Sequence, residues 1–227
     1  IRWCATMKVL VISAHMDDEV LGMGGTIAKH LEAGDTVTVC IVCKRAYEHK
    51  FDDALVKEEQ ESTRRAANII GYEDVRFLSL RDELLDERLL DVIVPLEDCV
   101  LDVRPSVIYT HHRGDANQDH RAVFHASLVA CRSISKCKVP RLLSYEVLSS
   151  TDTAPPFPEY AFQPNFYVQI DDFLERKIEA MRAYARELRE FPHPRSLRGI
   201  EVLARKRGME IGFVAAEAFM VIRDEWA

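Results

Sequence analysis

What most constrains this chain is the regular return of short β-branched runs between stretches of helical spacing, because few architectures accept that alternation. The runs are residues 8–14 (KVLVISA), 36–43 (TVTVCIVC), 75–79 (VRFLS), 107–110 (VIYT) and 142–147 (LLSYEV). The first two are apolar almost without interruption, as strands buried on both faces are. Helical stretches fall between them: from Gly22 through 33, over 52–70, over 89–103 and over 122–131. Asp52 or Asp53 is placed to cap the second helix, and Gly71 to end it. Such alternation implies right-handed crossovers, so the chain is predicted to be α/β, a three-layer Rossmann-like fold with a mostly parallel sheet.

Beyond the last run the pattern loosens. Residues 153–164 hold Pro155, Pro156, Pro158 and Pro164 and are expected to cross the molecule without regular helix. Asp171 or Asp172 is expected to cap a helix reaching Arg189, FPHPRS at 191–196 to break it, and a further helix to cover 200–206. At 227 residues a single domain is expected, with 148–227 supplying elements that shape a substrate site. The chain opens on Ile1 and the first strand-like residues follow Met7, so residues 1–6 are expected to be non-native or disordered.

Hydrophobic residues make up 48% and charged residues 30%, with nine Gly and nine Pro, a balance that fits a soluble globular protein and excludes a disordered or fibrous one. No apolar run approaches the ~20 residues that span a bilayer, and no basic and apolar leader opens the chain, so a cytoplasmic protein without a membrane partner is expected. A net charge of −7 argues against nucleic acid as a partner, since phosphate backbones are bound by clustered Lys and Arg. Six cysteines in a chain of this size do not resemble a disulfide framework. Cys40 and Cys43 form a CxxC, but strand alternation is expected to send them to opposite faces, away from any shared metal or disulfide.

In open α/β sheets ligands bind beyond the carboxyl ends of the strands. Two polar clusters stand there: His15-Met16-Asp17-Asp18-Glu19 after the first strand, and His111 through His120 (HHRGDANQDH) after the fourth. A catalytic zinc takes three protein ligands from His, Asp, Glu or Cys and leaves a place for water. His15 and Asp18 sit on one tight turn and can converge on an ion, which leaves Asp17 free to act as a base. A capped helix start would also explain these acids, but three carboxyls beside a histidine repel one another and lose solvation, costs that a divalent cation offsets.

These segments carry a resemblance. Ala14-His15-Met16-Asp17-Asp18-Glu19, the following LGMGGTIAKH, RRAANIIG at 64–71 and YTHHRGDANQDHRAV at 109–123 resemble, in order and spacing, the PIG-L/LmbE-like family of zinc-dependent N-deacetylases. The resemblance implies that His15, Asp18 and His120 bind Zn2+, or Fe2+ or another divalent ion, and that Asp17 is the general base. It also implies a small-molecule N-acetylated substrate, such as an N-acetylglucosamine-like amino sugar or conjugate, and assembly into a trimer or hexamer.

Two departures stand out. Met16 replaces the family's usual proline, and Asn117 stands where many relatives carry a histidine thought to assist the intermediate. His112, Asn117 and His193 are the candidates to replace it, with Asp119 orienting an imidazole. Glu19 is expected to support His15 or the helix start, and Arg45, Arg113, Asp115 and Arg195 to meet the substrate. Two other functions compete: a metal-dependent amidase or deacylase of a non-sugar amide, and a non-catalytic nucleotide-binding module built on Gly22, Gly24 and Gly25, whose spacing falls short of a full GxGxxG.

Overall fold

A computed structural model describes residues 6–226, so of the expectation for residues 1–6 only Thr6 falls within it. Among the described residues one sheet is formed by β1 (Lys8–Ser13), β2 (Thr36–Lys44), β3 (Asp74–Arg81), β4 (Val107–Thr110), β5 (Arg141–Tyr145), β6 (Phe166–Gln169) and β7 (Ala216–Asp224), in the order β3-β2-β1-β4-β5-β7-β6. Strands β1 to β5 are parallel, and β7 runs antiparallel to both β5 and β6. The helices are α1 (Asp18–Glu32), α2 (Asp53–Ile70), α3 (Leu89–Val103), α4 (Gln118–Ala130), α5 (Leu174–Arg182) and α6 (Leu197–Met209). None is long and apolar enough to cross a membrane.

The continuous apolar strands are explained by burial on two sides. Val9 and Val11 pack with Ile27 of α1, Ile70 of α2, Met181 of α5 and Ala204 of α6. Their neighbours Leu10 and Ile12 pack with Leu96 of α3 and Val123 of α4. Helices therefore cover both faces of the sheet, the three-layer arrangement expected from the alternation. Asp52 caps α2 by accepting from the amides of Ala54 and Leu55, and Gly71 ends it with a φ of 107°, a conformation that disfavours any side chain.

The order reverses at β1, which has β2 on one side and β4 on the other. The carboxyl ends of β1 and β4 thus border the crevice where ligands bind in such sheets.

The structure departs from the sequence reading at several points. Strands β6 and β7 were not anticipated; they close the sheet with antiparallel pairing after the strand-and-helix alternation has ended. Helix α5 stops at Arg182 instead of running to Arg189, because the following residues turn inward: the Tyr184 hydroxyl donates to Glu19 at 2.6 Å, and Glu187 takes Arg45 at 2.5 Å. Helix α1 begins at Asp18 and α4 at Gln118, so His120 lies inside the first turn of α4 instead of before it. Cys40 and Cys43 are both free and belong to the same apolar cluster instead of lying on opposite faces; the register shift between β2 and β3 puts its extra residue on β3, between Phe77 and Leu80.

Helix α1 carries a break at Met23, whose φ of −153° is not helical. The break is capped internally. The Glu217 carboxylate on β7 accepts from the amides of Gly25 (3.0 Å) and Thr26 (2.6 Å), and Lys177 on α5 binds both Glu217 (2.6 Å) and the Leu21 carbonyl (2.9 Å). A Cβ on Gly22 would lie 2.3 Å from the Tyr145 ring, and one on Gly25 2.9 Å from Ile170. These glycines serve close packing, and the amides a phosphate would need are taken by a carboxylate, which removes the basis for the nucleotide-binding module.

Candidate active site

The first turn after β1 is strained in a way that serves display. Asp17 is fully buried with φ 116°, a left-handed conformation rarely held by a residue with a side chain. Its amide donates to Glu19 Oε2 at 3.2 Å, and Glu19 Oε1 accepts from the hydroxyls of Tyr72 (3.1 Å) and Tyr184 (2.6 Å). Glu19 therefore braces the Asp17 turn; its contacts are to this turn and to two tyrosines, and not to the His15 ring.

The turn sends the side chains of Asp17 and Asp18 in different directions. Asp18 Oδ2 accepts from the His15 amide at 2.8 Å and lies 3.4 Å from His15 Nδ1. Helix α4 supplies the third group. Asn117 caps that helix, its Oδ1 accepting from the amides of Asp119 (2.8 Å) and His120 (3.4 Å), and so delivers His120 Nε2 to within 3.3 Å of Asp18 Oδ2 and 3.2 Å of His15 Nδ1.

Three ligand atoms therefore form a triangle with edges of 3.2–3.4 Å. A tetrahedral ion with bonds of ~2.0–2.1 Å has ligand-to-ligand edges of roughly 3.3–3.4 Å, so the triangle matches one face of such a site. Asp18 Oδ1 is buried with no hydrogen-bond partner among the described residues, an orphaned acceptor that a cation would satisfy. The donor set of two imidazoles and one carboxylate fits a divalent transition metal. Both rings are also held from behind: His15 Nε2 meets Asp119 Oδ2 at 3.2 Å, and His120 Nδ1 meets Asp115 Oδ2 at 3.1 Å. Each carboxylate favours the tautomer whose other nitrogen faces the triangle.

The electrostatics point the same way. Burial opposes a charge on His120, but Asp18 and Asp115 outweigh it and push the imidazole up to about 10, so the pocket around this ring favours positive charge. Burial acts against ionisation of Asp18 as well, yet the charge of His120 and its hydrogen bond hold it well below the usual carboxylate range. His111 stacks on His120 with ring centroids 3.9 Å apart, and burial pushes it down to about 3. Its Nε2 accepts from the Ala14 amide at 2.8 Å, which keeps that nitrogen unprotonated.

Asp17 is a different kind of carboxylate. Burial raises it to about 7, against the lowering effect of Arg45 and Arg195. Arg45 Nη2 lies 3.5 Å from one carboxylate oxygen and Arg195 Nη1 3.3 Å from the other, while Glu187 ties the two guanidiniums together at 2.5 and 2.8 Å. Arg195 Nε also donates to Ser149 Oγ at 2.7 Å. A group that ionises near neutrality can both take and return a proton.

The other expected residues lie elsewhere. Asp115 is buried behind His120, where it accepts from Ser150 Oγ, Thr151 Oγ1 (2.7 Å) and the Asn117 amide (2.8 Å), so it holds the His120 ring and has no face left for a substrate. His112 turns to the Tyr160 carbonyl (3.0 Å) and the Phe162 ring, away from the triangle. Asn117 spends its oxygen on the α4 cap. His193 is exposed, with Nδ1 accepting from the Arg195 amide at 3.1 Å, and Arg113 is exposed on the loop. Glu187, Tyr145, Ser150 and Thr151 were missed. Each comes from a segment without a local motif, so only the fold brings them in. His111 stood in the sequence beside His112, and nothing but the register of β4 distinguishes their roles.

Residues 10–131 match the family model described as PIG-L: GlcNAc-PI de-N-acetylase. The chain belongs to the PIG-L family. Among sequence relatives, a protein of Escherichia coli (strain K12) named uncharacterized deacetylase YaiS is 29% identical over 182 residues, covering 78% of this chain and 89% of that protein. Among solved structures, N,N'-diacetylchitobiose deacetylase from Pyrococcus horikoshii superposes with a TM-score of 0.78 at 20% identity, covering 96% of this chain and 84% of that one. GalB from Pseudomonas putida KT2440, a 4-carboxy-2-hydroxymuconate hydratase, superposes with a TM-score of 0.76 at 22% identity over 97% and 98% of the two chains. The fold of the PIG-L family thus also carries a hydratase, so the reaction has to be argued from the site.

Proposed function

We propose that this PIG-L family member is a zinc-dependent hydrolase that removes the N-acetyl group of an N-acetylglucosamine-like amino sugar or conjugate. The observation that carries the proposal is the buried triangle of His15, Asp18 and His120 with an orphaned Asp18 oxygen, next to a carboxyl at Asp17 that ionises near neutrality. The family description and the diacetylchitobiose deacetylase neighbour support the amino-sugar substrate.

When bound, the ion supplies Lewis acidity to the amide carbonyl and acidity to the attacking water. His15, Asp18 and His120 would hold it, with Asp119 and Asp115 fixing the imidazoles. Asp17 accepts the proton of the water as it attacks and returns that proton to the departing amine nitrogen. Arg45 and Arg195 keep the Asp17 carboxylate in one orientation, and Glu187 keeps the two cations from leaving it.

The test is acetate release from a panel of N-acetylated sugars and acylated amines, with and without chelator, for the wild type and Asp17→Asn. Chelator-sensitive acetate release and a loss of roughly 10²–10⁴-fold in the variant, with its metal retained, are expected. Unaltered turnover in Asp17→Asn would remove the base. Hydration of an unsaturated acid without any acetate release would replace the hydrolase with the GalB type of reaction.

A further inference from the structure

Behind the His15 ring, where Asp119 holds it, lies a third residue that the hydrolytic site does not use. One ring nitrogen of His15, Cys43 Sγ and a carboxylate oxygen of Asp119 lie within 4.8 Å of one another, all three residues are buried, and Nε2 is the nitrogen that meets Asp119. The Nε2 to Asp119 Oδ2 distance is already 3.2 Å. Around a tetrahedral ion with bonds of ~2.3 Å to sulfur and ~2.0–2.1 Å to nitrogen, ligand atoms lie roughly 3.5 Å apart, so the sulfur has to close by no more than about 1.5 Å. Cys43 is 2% exposed, and its thiol makes no hydrogen bond among the described residues.

The surroundings favour a cation. The carboxylates of Asp119, Asp82 and Asp18 all bring negative charge to the surroundings of Cys43. Sulfur with nitrogen also selects for a softer ion than the neighbouring site does, because thiolate prefers thiophilic metals.

We infer that His15 Nε2, Cys43 Sγ and Asp119 form a second, inhibitory site for a thiophilic divalent cation such as Cd2+ or excess Zn2+, sharing the His15 ring with the hydrolytic site. The inference rests on the proposed hydrolytic site only through that shared ring. A neutral imidazole has one lone pair, so an ion on each nitrogen requires the ring to lose its proton. Binding therefore releases two protons to solvent, one from Cys43 S–H and one from His15 Nε2–H, and the ring bridges the two ions as an imidazolate. Asp119 exchanges its hydrogen bond with His15 for a bond to the second ion. The ligand that orients the hydrolytic ion is thereby altered, and turnover falls as the second equivalent binds.

The experiment titrates the full-length ion-free protein with Cd2+, following bound equivalents by equilibrium dialysis and the sulfur-to-cadmium charge-transfer band in the ultraviolet. The wild type should bind two equivalents, the second with the band and with proton release. Cys43→Ser should bind one, without the band, and should lose the inhibition by excess Zn2+. A wild type that takes up one equivalent without the band would overturn the site, as would a band that persists in Cys43→Ser. Asp18→Asn separates the two sites: loss of the band-free equivalent with the band retained supports both, and two equivalents retained would remove the hydrolytic ligand set while leaving this one. Cys43→Ala is the second variant should the serine fail to fold. Cadmium-113 NMR of the wild type decides without any variant, because one resonance with a single sulfur ligand is required and a site with several sulfurs would refute it.

Discussion

Asp115→Asn tests how the site is held together. In the wild type Asp115 Oδ2 faces His120 Nδ1 at 3.1 Å and Thr151 Oγ1 at 2.7 Å, while Oδ1 takes the Asn117 amide at 2.8 Å. The asparagine keeps the volume and one acceptor. If that acceptor stays on the Asn117 amide, the new NH2 group faces His120 Nδ1, where only a nitrogen lone pair can receive it. The ring is then driven to carry its proton on Nε2, the atom that should ligate the ion. Partners of this kind behind a metal-binding histidine alter affinity by roughly 10–100-fold, which is about 1.4–2.8 kcal/mol at ~1.4 kcal/mol per tenfold. Part of that is returned, because Asp115 also raises the proton affinity of His120, and a bound proton competes with the metal. The expected net loss is therefore nearer tenfold than hundredfold. Competition against a chromophoric chelator at neutral pH measures it, with circular dichroism confirming the fold. Zinc affinity within twofold of wild type in a folded variant would refute the argument that Asp115 sets the tautomer.

Three further outcomes are expected. Lys177→Met strands the buried Glu217 carboxylate without its partner, and loss of one member of a buried pair costs about 3–5 kcal/mol; at ~2–4 °C per kcal/mol for a chain of this size, thermal unfolding should show a fall of roughly 6–20 °C, and a fall under ~2 °C would contradict it. Gly22→Ala drives a Cβ to 2.3 Å from the buried Tyr145 ring and should cost about 1–3 kcal/mol in a denaturant titration. It should also disturb the site, because the Tyr145 hydroxyl holds the Ile12 carbonyl at 2.8 Å and lies 3.3 Å from His111 Nε2. Burial depresses His30, despite its bond to Asp35, so the unfolded chain binds the proton more readily; this contribution is complete above the ordinary histidine value near ~6.5 and is lost as pH falls through that value toward the folded one. His30→Gln should flatten the urea midpoint between pH 7.5 and 5.5 relative to wild type, and an unchanged slope would exclude the assignment.

The parts of the molecule legible in the sequence are those written in local periodicity. Leu10 and Ile12 on one face of β1, with Val9 and Val11 on the other, announce a strand buried twice, and Gly71 announces a helix end. The triangle was legible because its members sit at strand and helix ends that the alternation already places in one crevice. The roles of individual polar residues were less so. Asp115 and Asn117 look like substrate groups on a loop, yet one is locked behind His120 and the other caps α4, distinctions that depend on Ser150 and Thr151 arriving from a distant segment. Helix propensity carried the reading past Arg182, where the pull of Tyr184 and Glu187 toward the site wins over local preference. Cys43, at the end of β2, comes beside His15 and Asp119 only because β1, β2 and α4 meet at one edge of the crevice, a meeting that local alternation does not foresee.

The inward cap on the break in α1 bears on how this polypeptide can be divided. The matched family region ends at residue 131, yet the carboxylate that closes that break comes from Glu217 on the final strand, and Asp17 and Asp115 are braced by Arg195, Ser150 and Thr151. A fragment cut after the matched region would keep His15, Asp18 and His120 while exposing the broken helix and freeing the Asp17 carboxyl. Shortening or grafting this centre into another scaffold thus has to carry the tail strand along with the opening turn.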